Sequence, residues 1–169
     1  MENKKFYQDL SKEQFIEEKI NKLKGQLKQL LNSDLRTFDN LKTLTSKGVY
    51  AIYENKEFFP IYLGKTGREG KNRIREIAGN YDSHVLNKKL LIKRLNEKYN
   101  LNLKRLDLKG KGELIKNEKV SEERFINTQK EINEYVKANL RVKFIELSKK
   151  EIIPFEHFAI GVLNPDCND

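Results

Sequence analysis

The sequence predicts an α+β domain, and three observations carry that prediction. Two short runs of β-branched and aromatic residues, Val49-Tyr50-Ala51-Ile52-Tyr53 and Ile61-Tyr62-Leu63-Gly64, flank the polar, turn-prone Glu54-Asn55-Lys56-Glu57 and then Phe58-Phe59-Pro60. That is the pattern of a hairpin with a long loop. A third run, Leu140 to Leu147, alternates as a strand does. Most of the remaining apolar residues recur at spacings of three and four, the period of amphipathic helices.

Taken in order, Ser11-x-x-Gln14 is a capping-box pattern that opens a first helix. Phe15, Ile16, Ile20, Leu23, Leu27, Leu30 and Leu31 form its apolar stripe, and Asn32-Ser33-Asp34 stops it. In the hairpin, strand alternation puts Tyr50, Ile52 and Tyr62 on one face. A loop bracketed by glycines, Lys65 to Gly70, leads to a short helix from Lys71 to Ala78. Ser83 is the expected cap of a helix through Val85, Leu86, Leu90, Leu91, Leu95 and Tyr99. Asn100 to Lys119 is polar and has no clear period, whereas Ser121 to Ala138 reads as helix. The last element runs from Pro154 to Leu163, with Pro154 at its first helical position. No repeat, low-complexity tract or linker interrupts the chain, so residues 1–169 are read as one domain.

At 169 residues the chain is long enough for a real core, but 35% of it is charged and its mean hydropathy is −0.77. The expectation is a thin core under much solvated helix surface. No apolar run approaches eighteen residues and no apolar signal region follows the start, which points away from membrane-spanning and secreted proteins. The single cysteine, Cys167, rules out an internal disulfide and fits a reducing cytoplasm. With only His84 and His157 beside it, no Cys/His zinc site of the usual kind can form.

The net charge of +9 is concentrated in the middle of the chain: +6 over residues 82–119 and +4 over 41–81, against +1 before and −2 after. A basic stretch of this kind suits a polyanion, with nucleic acid the leading partner. Two further residue positions bear on chemistry. Glu156 is the only formal charge between Ile152 and Leu163, set among apolar residues where a carboxylate needs a partner or a metal. A divalent ion such as Mg²⁺ uses one carboxylate together with waters and substrate phosphate. Read plainly, the same residue is a first-turn glutamate favoured by the helix dipole. Arg73 follows the second strand, where its planar fork could reach a phosphate held over the hairpin.

Together, Gly48-Val49-Tyr50, Tyr62-Leu63-Gly64-Lys65-Thr66, Arg73-Ile74, Glu156 and Asn164-Pro165-Asp166-Cys167-Asn168 resemble the GIY-YIG nuclease family. The resemblance covers about residues 44–81 and 139–168. Val49 and Leu63 stand where the family has isoleucine, and Ile77 stands where members commonly carry a His or Tyr one helical turn after the arginine. Tyr81 or His84 would have to supply that group, His84 being the better candidate because restriction-type members place a His near this point.

The resemblance implies a three-stranded antiparallel sheet flanked by helices. It also implies a Mg²⁺-dependent endonuclease acting on double-stranded DNA. The catalytic residues would be Tyr50, Tyr62, Arg73, His84, Glu156 and Asn168, with Glu156 holding the metal and Tyr50 or Tyr62 taking a proton from the attacking water. Lys65, Lys71 and Arg75 would bind the substrate. Residues 1–43, an N-terminal helical decoration, and 82–138, a basic helical insertion, are the expected source of DNA recognition. A compact member with this ending looks most like a type II restriction endonuclease, and a palindromic site would call for a twofold homodimer. A phage or mobile-element nuclease of relaxed specificity would share the catalytic residues, and a DNA-binding member without catalysis is the non-enzyme alternative.

Overall fold

Strand β1 (Gly48–Glu54) runs down the middle of an antiparallel sheet, between β2 (Tyr62–Thr66) and β3 (Leu140–Glu146). The computed structural model describes residues 12–55, 57–104 and 120–168. Among these, five helices surround the sheet: α1 (Lys12–Asn32), α2 (Gly70–Arg75), α3 (Val85–Tyr99), α4 (Glu122–Asn139) and α5 (Lys149–Leu163). A single 3-10 turn, Glu76–Ala78, continues α2. The α+β architecture read from the sequence is the one observed. The Ser11 cap and residues 105–119 lie outside the described residues.

Both faces of β1 are covered, which explains why it is a nearly unbroken apolar run. On one face Tyr50, Ile52 and Tyr62 pack with Ile74, Ile77, Leu86, Leu91, Phe125 and Val136 from α2, the 3-10 turn, α3 and α4. On the other, Val49, Ala51, Tyr53 and Leu63 pack with Leu27, Leu30, Ile152, Phe155 and Ala159 from α1 and α5. The charged 82–138 stretch therefore contributes much of the first core through its two helices. Each fully buried Leu or Ile in these layers contributes about 1.5–3 kcal/mol.

Two glycines are dictated by close approach. A Cβ at Gly48 would lie 1.9 Å from the Ile145 carbonyl oxygen, and one at Gly64 would lie 2.5 Å from Tyr50 Oη. Gly64 is the register partner of Tyr50, and the tyrosine ring lies across it.

The ends of several elements differ from expectation for local reasons. The final helix begins at Lys149, not Pro154, because Ser148 and Glu151 form a capping box upstream. Pro154 sits inside the helix, where it costs one backbone hydrogen bond. His84, not Ser83, caps α3; Ser83 instead donates to the Glu76 and Asn80 carbonyl oxygens. In α1 the predicted stripe is only partly used. Leu27 and Leu30 are buried, but Ile16 and Ile20 stay exposed, as do all of residues 12–22.

Both sheet edges are closed. Arg36 pairs with Val142 through two backbone hydrogen bonds (2.8 and 2.9 Å) along the outer side of β3. At the other edge, left-handed Asn164 (φ 43°) and then Pro165 end α5 and turn the chain back toward β2. The Cys167 N–H donates to the Ile61 carbonyl (2.9 Å), and the Asn168 amide accepts from Leu63 N–H (2.7 Å) and donates to Leu63 C=O (2.8 Å). One side chain thus does for the edge strand what a neighbouring strand would do.

Candidate active site

The sheet face carrying Tyr50 and Tyr62 gathers four of the expected residues, Tyr50, Tyr62, Arg73 and His84, whereas Glu156 on α5 and Lys65 on β2 pair on the side of the sheet that α5 covers. Tyr50 comes from the centre of β1 and is 1% exposed. Tyr62, from β2, lies with its ring centroid 6.3 Å from that of Tyr50. His84, 2% exposed, stands over both, 6.1 Å from Tyr50 and 5.4 Å from Tyr62 centroid to centroid. Its Nε2 is 2.7 Å from Tyr50 Oη. Ile77 is a buried core residue and Tyr81 packs edge-on against Phe125, so it is His84 that reaches Tyr50. It can do so because the chain between Ala78 and His84 is looped rather than helical, which shifts the reach of α2 by a full turn and more.

The tautomer of His84 follows from its second contact. As the cap of α3, its Nδ1 accepts the Leu86 N–H at 3.1 Å, so the ring proton must sit on Nε2 while the ring is neutral. Burial, and then the Arg73 charge, push the imidazole pKa down to about 3, so the ring is neutral at physiological pH. His84 Nε2–H therefore donates to the Tyr50 oxygen. Burial, and next the neighbouring Tyr62, raise the Tyr50 phenol above the usual tyrosine range, while the Arg73 charge works in the opposite direction. A phenol oxygen that accepts an N–H and feels a guanidinium is arranged to stabilise a phenolate should its proton leave.

Arg73 is held by two acceptors, the Ser83 carbonyl oxygen (2.9 Å) and Glu76 Oε2 (2.7 Å). The other Glu76 oxygen pairs with Arg68. Burial works against the Glu76 charge, but the two arginines outweigh it and hold its carboxyl below the usual range. Glu76 was not foreseen from the sequence; the signal there was its i,i+3 spacing from Arg73. Nor was Asn87, which is fully buried and donates to Ile77 C=O (2.6 Å), fixing the loop that delivers His84.

Glu156 is 8% exposed and lies in the second turn of α5, beyond the reach of the first-turn dipole, so the plain reading of it as a helix-start glutamate does not apply. Its partner is Lys65, whose ammonium pairs with Oε2. The Glu156 charge also reaches Tyr50 and adds to the raising of its pKa. Among the described residues no three His, Cys, Asp or Glu converge as a metal cage. One buried carboxylate fits the sparse protein ligation of Mg²⁺, which keeps waters and takes phosphate oxygens for the rest.

The other expected residues fall outside this group. Asn168 clamps β2 from its outer edge and so positions Tyr62 and Lys65. Lys71 pairs with Glu69. Arg75, two residues from Arg73 and hence on the opposite side of α2, lines a shallow groove with Phe38, Asp39 and Lys137. Comparison with protein-family models, with curated proteins and with solved structures finds no match to this chain. Among the described residues no helix is long and apolar enough to cross a membrane.

Proposed function

We propose that the chain is a Mg²⁺-dependent endonuclease of the GIY-YIG type that hydrolyses phosphodiester bonds in double-stranded DNA at a defined sequence. The observation that carries this reading is the buried 2.7 Å contact between His84 Nε2 and Tyr50 Oη beside the Arg73 charge. A fixed N–H donor and a neighbouring cation on one tyrosine oxygen favour its phenolate, the form able to take a proton, and pure core packing would not require either.

In this mechanism Tyr50 acts as a phenolate: its own proton passes to solvent, a loss that Arg73 and His84 Nε2–H favour against the opposing pull of burial, and the phenolate then takes the proton of the attacking water. Arg73 binds a non-bridging phosphate oxygen and gains strength as charge builds there. Tyr62 walls the site and Asn168 keeps β2 in place. Glu156 is the residue that would hold Mg²⁺, which when bound supplies Lewis-acid stabilisation of the leaving oxygen. Lys65, the ion-pair partner of Glu156, would offer its ammonium to a substrate phosphate. Duplex DNA is the proposed partner, and a twofold dimer is proposed if the site is palindromic.

Incubation of supercoiled plasmid with the purified chain tests the reading. Discrete fragments with Mg²⁺, none with EDTA, and a loss of at least about 10²-fold in rate for Tyr50→Phe are the expected results. A smear in place of fragments would replace sequence specificity with relaxed cutting. No conversion with Mg²⁺ or Mn²⁺ would overturn the enzymatic reading and leave a DNA-binding module.

A further inference from the structure

The cations of the candidate site are already paired within the chain. Lys65 is paired with Glu156, and one carboxylate, Glu76, is shared by two guanidiniums. The second arrangement is unusual in its geometry. Arg73 Nη1 donates to Glu76 Oε2 at 2.7 Å, while Arg68 Nη2 pairs with Oε1 of the same group. Two acceptor oxygens, each facing a different arginine, form the pattern that the two non-bridging oxygens of a phosphodiester also present.

Each arginine keeps an anchor that does not depend on Glu76. Arg73 Nη1 also donates to the Ser83 carbonyl oxygen at 2.9 Å. Arg68 is fixed through its main chain, where buried Thr66 Oγ1 accepts the Arg68 N–H (3.2 Å) and donates to the Arg68 C=O (2.9 Å). Glu76 itself begins the 3-10 turn and its side chain is a quarter exposed, so it has solvent to swing into. A part-exposed ion pair is weak and readily exchanged.

We propose that Glu76 is a displaceable stand-in for a backbone phosphate of the substrate, bridging Arg68 and Arg73 until DNA phosphate takes its place. The proposal rests on the nuclease reading for the identity of the anion, and it adds Arg68 as a second arm of the phosphate clamp. In the unliganded protein Glu76 cancels one of the two arginine charges, which weakens attraction for anions that cannot engage both arms. On binding, the carboxylate swings out and the phosphate oxygens accept from both guanidiniums. No covalent step is involved.

The test is binding of a 20-bp duplex in EDTA, followed by fluorescence anisotropy between 50 and 300 mM KCl, for the wild type, Glu76→Gln, Arg68→Gln and the double variant, each checked for folding by circular dichroism. Glu76→Gln frees one positive charge, so binding tightens several-fold and the slope of log K against log salt steepens by about 0.9. Arg68→Gln weakens binding and makes the slope shallower by a similar amount, and in the Glu76→Gln background it removes the gain. If Glu76→Gln does not fold, Arg68→Gln alone decides: an unchanged slope overturns the second arm. Equal or weaker binding by a folded Glu76→Gln, while the wild type still binds and cuts DNA, overturns the stand-in and leaves the nuclease reading intact. Failure of all four proteins to bind duplex overturns the clamp, and it overturns the nuclease reading too only if the wild type also fails to convert plasmid with Mg²⁺ or Mn²⁺.

Discussion

His84 concentrates the consequences of burial at a single residue. Its imidazole is neutral because its surroundings resist a second proton, with the folded pKa pushed from the ordinary 6.5 to about 3. The unfolded chain meets no such resistance. Below pH 6.5 the unfolded state takes up a proton that the folded state does not, so stability falls as pH falls, by about 1.4 kcal/mol per pH unit. The loss stops near pH 3, where the folded state also binds the proton. His84→Asn keeps a side-chain oxygen able to cap Leu86 N–H but does not titrate. Denaturant unfolding of both proteins from pH 7 to pH 4 is therefore expected to show a stability gap that moves against the wild type as pH drops. A gap independent of pH would mean that His84 is not held neutral. The residue was visible in the sequence only as one of two candidates, because a linear reading ends the helix at Ala78 but does not show which side chain of the following loop is carried back to Tyr50.

At the scale of elements, the hairpin and the third strand were legible because their signals are local: β-branched and aromatic runs, a turn-prone loop, clean alternation in 140–147. Gly64 is of another kind, since its need becomes visible only once Tyr50 is placed over it. Where prediction failed, another local device competed. Pro154 is a strong start signal, but the Ser148–Glu151 capping box upstream is stronger, and with it Glu156 moved from the first turn into a buried position facing Lys65. Asn168 shows what spacing can encode. The chain from Asn164 to Asn168 is a left-handed cap, a helix breaker, a turn closed by Asn168 N–H to Pro165 C=O (3.0 Å) and a clamp. Asn168→Ala removes both hydrogen bonds to Leu63, at a cost of about 1–3 kcal/mol in stability. It also frees the strand that carries Tyr62 and Lys65. Amide hydrogen exchange should show Leu63 N–H losing protection while Ala51 N–H, in the central strand, keeps it. Equal protection of Leu63 in both proteins would show that the tail does not hold the edge.

For the molecule as a whole, the question is where its positive charge is put to use. Residues 82–119 carry a net +6, and they lie within the 82–138 stretch that the sequence reads as the DNA-recognising insertion. Yet α3 and α4 are committed to the core through Leu86, Leu91, Leu95, Phe125, Ile132 and Val136, and exposed Lys98 and Arg94 already face Glu131. A helix whose apolar face is buried and part of whose positive charge is paired has less left to offer a polyanion. On the proposed DNA-binding reading, the cations outside those two helices, among them Lys109, Lys111 and Lys116, are then expected to carry much of the duplex contact. Changing these three to Gln removes charge with no buried side chain among the described residues altered. Every phosphate that the protein no longer neutralises makes the salt dependence of binding shallower by about 0.9, so a variant without all three lysines should have a slope smaller by roughly 2–3. The thermal midpoint and the cleavage pattern are expected to stay as they are, because phosphate contacts orient the protein without reading bases. Anisotropy titrations across a salt series measure this. An unchanged slope would shift DNA binding to the candidate site itself, where Lys65, Arg68 and Arg73 are the cations at hand.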